Sequence, residues 1–188
     1  MRQAYLIHGW GGNPNESWFP WLKEELKKRN ISLEIPAMPN TDKPKISEWT
    51  DKIKETVRNP NKEVVLIGHS IGCQAIMRYL ERLDNNLKIG EVIFVAGWFH
   101  LTEEVWDEEY TKEIAKSWLE TLIDFKKVKE HANLFITINS NNDPYVPLED
   151  VKIFEKKLNA KVIILEGKGH ICEEHGIKEF PEILEFIK

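Results

Sequence analysis

The stretch Glu63-Val-Val-Leu-Ile-Gly68-His69-Ser70-Ile71-Gly72 decides how the rest of the chain is read. Its first half is an unbroken apolar run rich in β-branched residues, the composition of a strand buried on both faces. Its second half is G-x-S-x-G, and beyond it Ile76, Tyr79, Leu80 and Leu83 recur at helical spacing. Strand, G-x-S-x-G and helix in direct succession are the context of a nucleophile elbow. A tight strand-to-helix turn forces the serine into strained backbone geometry, and only small neighbours such as Gly68 and Gly72 let the chain pass so close to itself. The helix then aims its free N–H groups at the reacting oxygen. A serine that merely caps the helix would give the same local pattern.

Outward from this elbow, short apolar runs alternate with longer segments of helical period. Strands are expected near Gln3–His8, Ser32–Ile35, Glu63–Gly68, Glu91–Ala96, Leu134–Asn139 and Lys161–Leu165. The alternation implies an α/β fold with a mostly parallel sheet covered on both faces, a three-layer α/β/α sandwich. Ser17 is placed to cap a first helix carrying Trp18, Trp21, Leu22 and Leu26, and Ser47 a second carrying Trp49, Ile53 and Val57. Pro147 suits the first turn of a helix with Val151, Phe154 and Leu158 inside. A final helix would carry Ile183, Leu184 and Ile187. Residues 98–132 break the rhythm with about two helices' worth of chain, read as a small helical cap held by Trp106, Tyr110, Trp118 and Phe125. The acidic run Glu103, Glu104, Asp107, Glu108 and Glu109 reads as a solvated helix face.

Composition narrows the function. A chain of 188 residues with 41% hydrophobic content fits one packed domain over residues 1–188. The 26 basic residues are outnumbered by 31 acidic ones and form no cluster with interleaved aromatics, so nucleic acid is not an expected partner. The apolar run Ala4–Ile7 is too short for a signal peptide, and no run approaches the ~20 residues of a membrane helix, so a cytoplasmic protein is expected. Two cysteines, Cys73 and Cys172, exclude a multi-bridge scaffold. Cys73, on the apolar stripe after the elbow, reads as core filler.

A serine hydroxyl needs a base. His170, in Leu165-Glu-Gly-Lys-Gly-His170 just past the last strand, lies at the sheet edge where ligands collect, with His175 as its rival. His8 and His69 sit at strand ends and read as structural, and His100 and His131 as partly exposed residues of the cap. The acid that orients the base should follow the preceding strand, where Ser140-Asn141-Asn142-Asp143-Pro144 supplies Asp143. The rival position after the fourth strand, Gly97–Leu101, holds no acid. The glycine turn His8-Gly-Trp-Gly-Gly12 suits an oxyanion hole, with the backbone N–H groups of Trp10 and Ile71 as donors. No cofactor is called for: Pro14 stands where a dinucleotide motif needs glycine, and there is no phosphate loop. His170-Ile-Cys-Glu-Glu-His175 has one residue too many for an H-x-x-E-H zinc motif, and five residues on a helix turn the imidazoles about 140° apart, so no metal is expected.

With these positions in place, the chain resembles the small serine hydrolases of the α/β-hydrolase superfamily, and within it the YdeN-like and retinoblastoma-binding-protein-like branch. The resemblance rests on His8-Gly9, Ser17-Trp-Phe-Pro-Trp-Leu22, Ala37-Met-Pro-Asn40, Gly68-His-Ser-Ile-Gly-Cys73, Asp143-Pro-Tyr-Val-Pro147 and Gly169-His170. It implies a minimal α/β-hydrolase fold, six parallel strands in the order 2-1-3-4-5-6, and a triad on Ser70, Asp143 and His170. The expected activity is hydrolysis of an ester or related acyl bond in a small-molecule substrate, through an acyl-enzyme intermediate. The alternative is a catalytically idle hydrolase-fold module that binds a protein partner. No motif in residues 98–132 matches a substrate.

Overall fold

Short apolar runs set the sheet. The computed structural model describes residues 2–106 and 109–187, with strands β1 (Gln3–Ile7), β2 (Ser32–Glu34), β3 (Val64–His69), β4 (Ile89–Val95), β5 (Ala132–Ser140) and β6 (Lys161–Leu165). All are parallel, in the order β2-β1-β3-β4-β5-β6, as the resemblance implied. β3 lies near the centre and is buried at every position. Because side chains alternate across a strand, Leu66 joins Tyr5, Ile7 and Phe94 on one face, while Val65 and Ile67 join Leu6, Ile93 and Ile136 on the other. Helices cover both faces. Helix α1 (Phe19–Lys28) packs Phe19, Leu22 and Leu26 on the second face. On the first lie α2 (Ile46–Thr56), α3 (Ile71–Leu80) and α6 (Val151–Leu158), with Trp49, Ile76 and Phe154. Among the described residues no helix is long and apolar enough to cross a membrane.

Three element ends differ from expectation. α1 is entered at Trp18, and Ser17 takes φ +55° and donates its hydroxyl to Ile177 O at 3.4 Å. The serine stitches the helix entrance to the C-terminal region instead of capping it. Ser47 lies within α2, whose cap position is Lys45, because Ile46 turns inward against the core. The final helix is a 3-10 segment, Pro181–Phe186. Phe180, Ile183 and Phe186 recur every three residues, the period of that tighter helix. The helix after Pro147 begins with a 3-10 turn, Leu148–Asp150, and then buries Val151, Phe154 and Leu158 as expected.

Residues 98–132 contain a 3-10 turn (Glu103–Trp106), α4 (Glu109–Glu120) and α5 (Phe125–Glu130). Trp118 is buried and Phe125 packs against Phe99; the side chains of Trp106 and Tyr110 fall outside the described part of the structure. Of the acidic run, Glu103 and Glu104 are exposed, and Asp107, Glu108 and the Glu109 side chain are likewise outside it. Two residues of α3 hold this segment. Gln74 donates to Trp98 O at 3.1 Å, and the buried Arg78 donates to Trp118 O and Thr121 O, each at 2.8 Å. His131 is buried, not partly exposed, because it sits where α5 passes into β5 and its Nδ1 is hydrogen-bonded to Leu87 O at 2.9 Å. His100 is exposed and pairs with the buried Asp150 at 2.6 Å.

A very close backbone approach lies under the elbow. A Cβ on Gly72 would stand 2.2 Å from Ile7 O and 2.8 Å from His8 O. Neither carbonyl can yield without moving β1. Gly72→Ala is therefore expected to cost about 3 kcal/mol or more, or to prevent folding. Urea unfolding checks this, and a variant within about 0.5 kcal/mol of the parent would contradict so tight a contact.

Candidate active site

Ser70 links the last residue of β3 to the first of α3, at φ +54° and ψ −123°. Few non-glycine residues adopt such angles. The turn is held by Ser70 N–H donating to Val95 O at 2.9 Å and Cys73 N–H to Ser70 O at 3.0 Å. Gly68 is needed as well, since a Cβ there would lie 2.7 Å from Cys73 N. Cys73 itself is buried, as core filler should be, and burial pushes its thiol pKa far up.

His170 and Asp143 meet. Nδ1 of His170 lies 2.8 Å from Oδ2 of Asp143, and the carboxylate accepts on its other oxygen from Tyr145 N–H at 2.9 Å and Val146 N–H at 3.2 Å. Asp143 is thus gripped on both oxygens, with its side chain only 2% exposed. A carboxylate at Nδ1 makes that nitrogen the donor, leaving Nε2 free as acceptor on the far edge of the ring. Ser70, His170, Gly9, Trp10 and Ile71 line one cavity of about 630 Å³, which residues 98–132 help to wall with Trp98, Leu101 and Val105. The expected oxyanion donors, Trp10 and Ile71, both border it. In the same turn Gly11 N–H is taken by Thr41 O and Gly12 N–H by Gly9 O, so those two amides are already used.

The supports of this arrangement were largely unforeseen. Asn142 Oδ1 accepts from Ser140 Oγ at 2.7 Å and Gly169 N–H at 2.9 Å, Ser140 Oγ accepts from Lys168 N–H, and Asn141 Oδ1 from Gly167 N–H. Ser140-Asn141-Asn142 therefore sews the loop bearing Asp143 to the loop bearing His170. Its signal was visible as three consecutive Asx and Ser residues, which read equally well as an ordinary turn. Trp18 donates its indole N–H to Ile171 O at 2.8 Å, and His69 shares a 3.0 Å hydrogen bond between its Nε2 and His170 O. The rival base, His175, is not paired with Asp143: its Nδ1 accepts from His170 N–H at 3.3 Å. Burial raises the Cys172 thiol pKa, so this cavity-lining cysteine keeps its proton at neutral pH.

His8 and His69 are structural, as expected. Nδ1 of His8 bonds Gly9 O at 2.9 Å while Nε2 accepts from Met38 N–H at 3.2 Å, bracketing the glycine turn in the neutral form. Burial lowers the pKa of His8, and burial together with the neighbouring His170 lowers that of His69 to about 3. For a histidine depressed in the folded state, the unfolded chain binds the extra proton. Stability is then complete above pH 6.5 and falls as pH drops from there toward 3. One such residue contributes about 2 kcal/mol of loss at pH 5. His69→Gln should therefore lose about 2 kcal/mol less than the parent between pH 7 and pH 5 in urea unfolding, and equal losses would remove His69 as the titrating group.

The sequence model of the serine hydrolase family matches residues 4–188. YdeN of Bacillus subtilis is 27% identical over 186 residues, covering 99% of this chain and 94% of its own length. Serine hydrolase RBBP9 of Rattus norvegicus is 24% identical over 189 residues, covering 99% and 94%. The crystal structure of the Bacillus subtilis YdeN product superposes with a TM-score of 0.89 over 100% of this chain and 97% of that one. With an α/β-hydrolase sheet and a family match running from β1 to the C-terminus, the chain belongs to the serine hydrolase family.

Proposed function

We propose that this hydrolase cleaves an ester or related acyl bond through Ser70, His170 and Asp143, with a covalent acyl-Ser70 intermediate. The observation that carries the reading is the 2.8 Å pairing of His170 Nδ1 with a carboxylate anchored on both oxygens, in the cavity that Ser70 also lines. A neutral imidazole so oriented can accept the Ser70 proton at Nε2 as the oxygen attacks the acyl carbon. Asp143 holds the tautomer and stabilises the imidazolium. The negative oxygen of the tetrahedral intermediate is received by the N–H groups of Trp10 and Ile71. His170 returns its proton to the leaving group, then activates water to release the acyl chain from Ser70. Every step uses side chains and amides of this chain.

Residues 98–132 serve in this reading as the cap of a single domain, and Trp98, Leu101 and Val105 offer the acyl group an apolar wall beside Ser70. A small-molecule acyl substrate fits a cavity of about 630 Å³. A short-chain nitrophenyl ester should be hydrolysed by the parent and at least about 10³-fold more slowly by Ser70→Ala. Asp143→Asn should lower kcat about 10²–10⁴-fold with KM little changed, because it disturbs the tautomer and not the pocket. A fluorophosphonate probe should label the parent alone. Equal ester rates in parent and Ser70→Ala, with no labelling, would favour the idle binding module.

A further inference from the structure

Just past His170 the chain makes a turn whose polar side chains have no part in that chemistry. Cys172 is in extended conformation, Glu173–His175 form a 3-10 turn, and Gly176 closes it at φ +80°. Backbone bonds hold the turn: His175 N–H to Cys172 O at 3.1 Å, Ile177 N–H to Cys172 O at 3.0 Å and Gly176 N–H to Glu173 O at 2.8 Å. In a 3-10 turn, residues three apart eclipse one another, so Cys172 and His175 present their side chains on one side. Cys172 Sγ, a carboxylate oxygen of Glu174 and a ring nitrogen of His175 lie within 4.8 Å of one another.

Their spacing suits a particular ligand. Sγ of Cys172 is 3.3 Å from Nδ1 of His175, against about 3.5 Å for the S–N edge of a zinc tetrahedron with bonds of ~2.3 and ~2.05 Å. Nδ1 is the acceptor for two long contacts, from the thiol and from His170 N–H at 3.3 Å, so its lone pair is present and weakly used. Glu174 receives the Tyr145 hydroxyl on Oε1 at 3.2 Å, which leaves Oε2 for another partner. Cys172, Glu174 and Tyr145 all border the cavity.

We propose that Cys172, Glu174 and His175 bind one soft divalent cation of the zinc class at the lip of the cavity. Thiolate, carboxylate and neutral imidazole carry two negative charges against the cation's two positive ones. Sulfur and nitrogen donors select zinc-like ions over magnesium and calcium, which require several oxygens. On binding, the S–H bond breaks, its proton leaves to solvent, and an S–metal bond forms with no change of oxidation state. Three protein ligands leave a fourth position for water or an anion. Held there, the cation stands beside Tyr145 and draws His175 Nδ1 from the His170 amide, so it should also slow the reaction proposed above, a consequence that rests on that reading whereas binding does not.

The test titrates the full, reduced, metal-free chain with Co2+ as a spectroscopic stand-in. One equivalent should give a near-ultraviolet thiolate-to-cobalt band with strong visible absorption of a tetrahedral site, reversed by Zn2+ and untouched by Mg2+. Cys172→Ser should abolish the near-ultraviolet band and His175→Gln should weaken binding at least tenfold, both with the parent's far-ultraviolet circular dichroism. Absence of the band in the parent, or its survival in Cys172→Ser, overturns the site. In the ester assay Zn2+ should slow the parent and not Cys172→Ser. A parent with no ester activity at all would count against the function proposed above, and the cobalt titration would still decide the metal site.

Discussion

Helix α3 begins so close to β1 that no side chain fits between them, and the geometry of the candidate active site depends on that contact. A methyl group at Gly72 would run into Ile7 O and His8 O, and one at Gly68 into the backbone at Cys73. With those atoms absent, the chain can turn from β3 into α3 within one residue, and that residue is forced to φ +54°. A serine in this position cannot relax into the sheet or the helix. The strain is held by a fully buried strand on one side and a helix buried along its whole length on the other.

The same edge of the sheet gathers the other groups, and it does so largely without charge. His8 and His69 are both kept neutral by burial, one bracing the glycine turn and the other the backbone of His170. Neutral histidines suit this role because each supplies a donor on one nitrogen and, where needed, an acceptor on the other, with no ion to desolvate. Trp18 adds a donor to Ile171 O from the opposite face. The loop bearing His170 is thus fixed by amide, indole and imidazole contacts, and the carboxylate of Asp143 holds the His170 ring itself through the 2.8 Å bond to Nδ1.

The sheet was legible because its strands are buried on both faces and so read as continuous apolar runs; Val64–Ile67 is the plainest example. The meeting of Asp143 with His170 was legible because each follows a recognisable strand and the order Ser, acid, His narrows the choice. The helix entrances were less so. Ser17 and Ser47 carry good capping chemistry, but local propensity yielded to Trp18, which reaches Ile171 O, and to Ile46, which packs on the core. His131 read as a partly exposed residue because it falls in the cap segment; its burial follows from pairing of β5 with β4, a contact no local pattern displays. Read from the sequence as a helix, His170–His175 would turn its two imidazoles away from each other. As a 3-10 turn it brings together Cys172 and His175 instead.

Arg78 is the residue that a reading of helix periodicity least anticipates. It lies fully buried on α3, among Ile76, Met77, Tyr79 and Leu80, where an apolar residue is the ordinary choice. Its guanidinium explains the choice: one nitrogen serves Gln74 Oε1, Trp118 O and Thr121 O, the last two at the C-terminal end of α4. Those carbonyls have no partner within their own helix and carry its negative dipole end, so a cation there satisfies the acceptors and the field together. Gln74, one turn earlier, holds Trp98 O at the entrance of the same segment. Both anchors sit on the helix that starts at Ser70. The wall of the cavity and its candidate nucleophile are therefore referred to one rigid element, and a shift of either is resisted by the packing of α3 against the sheet.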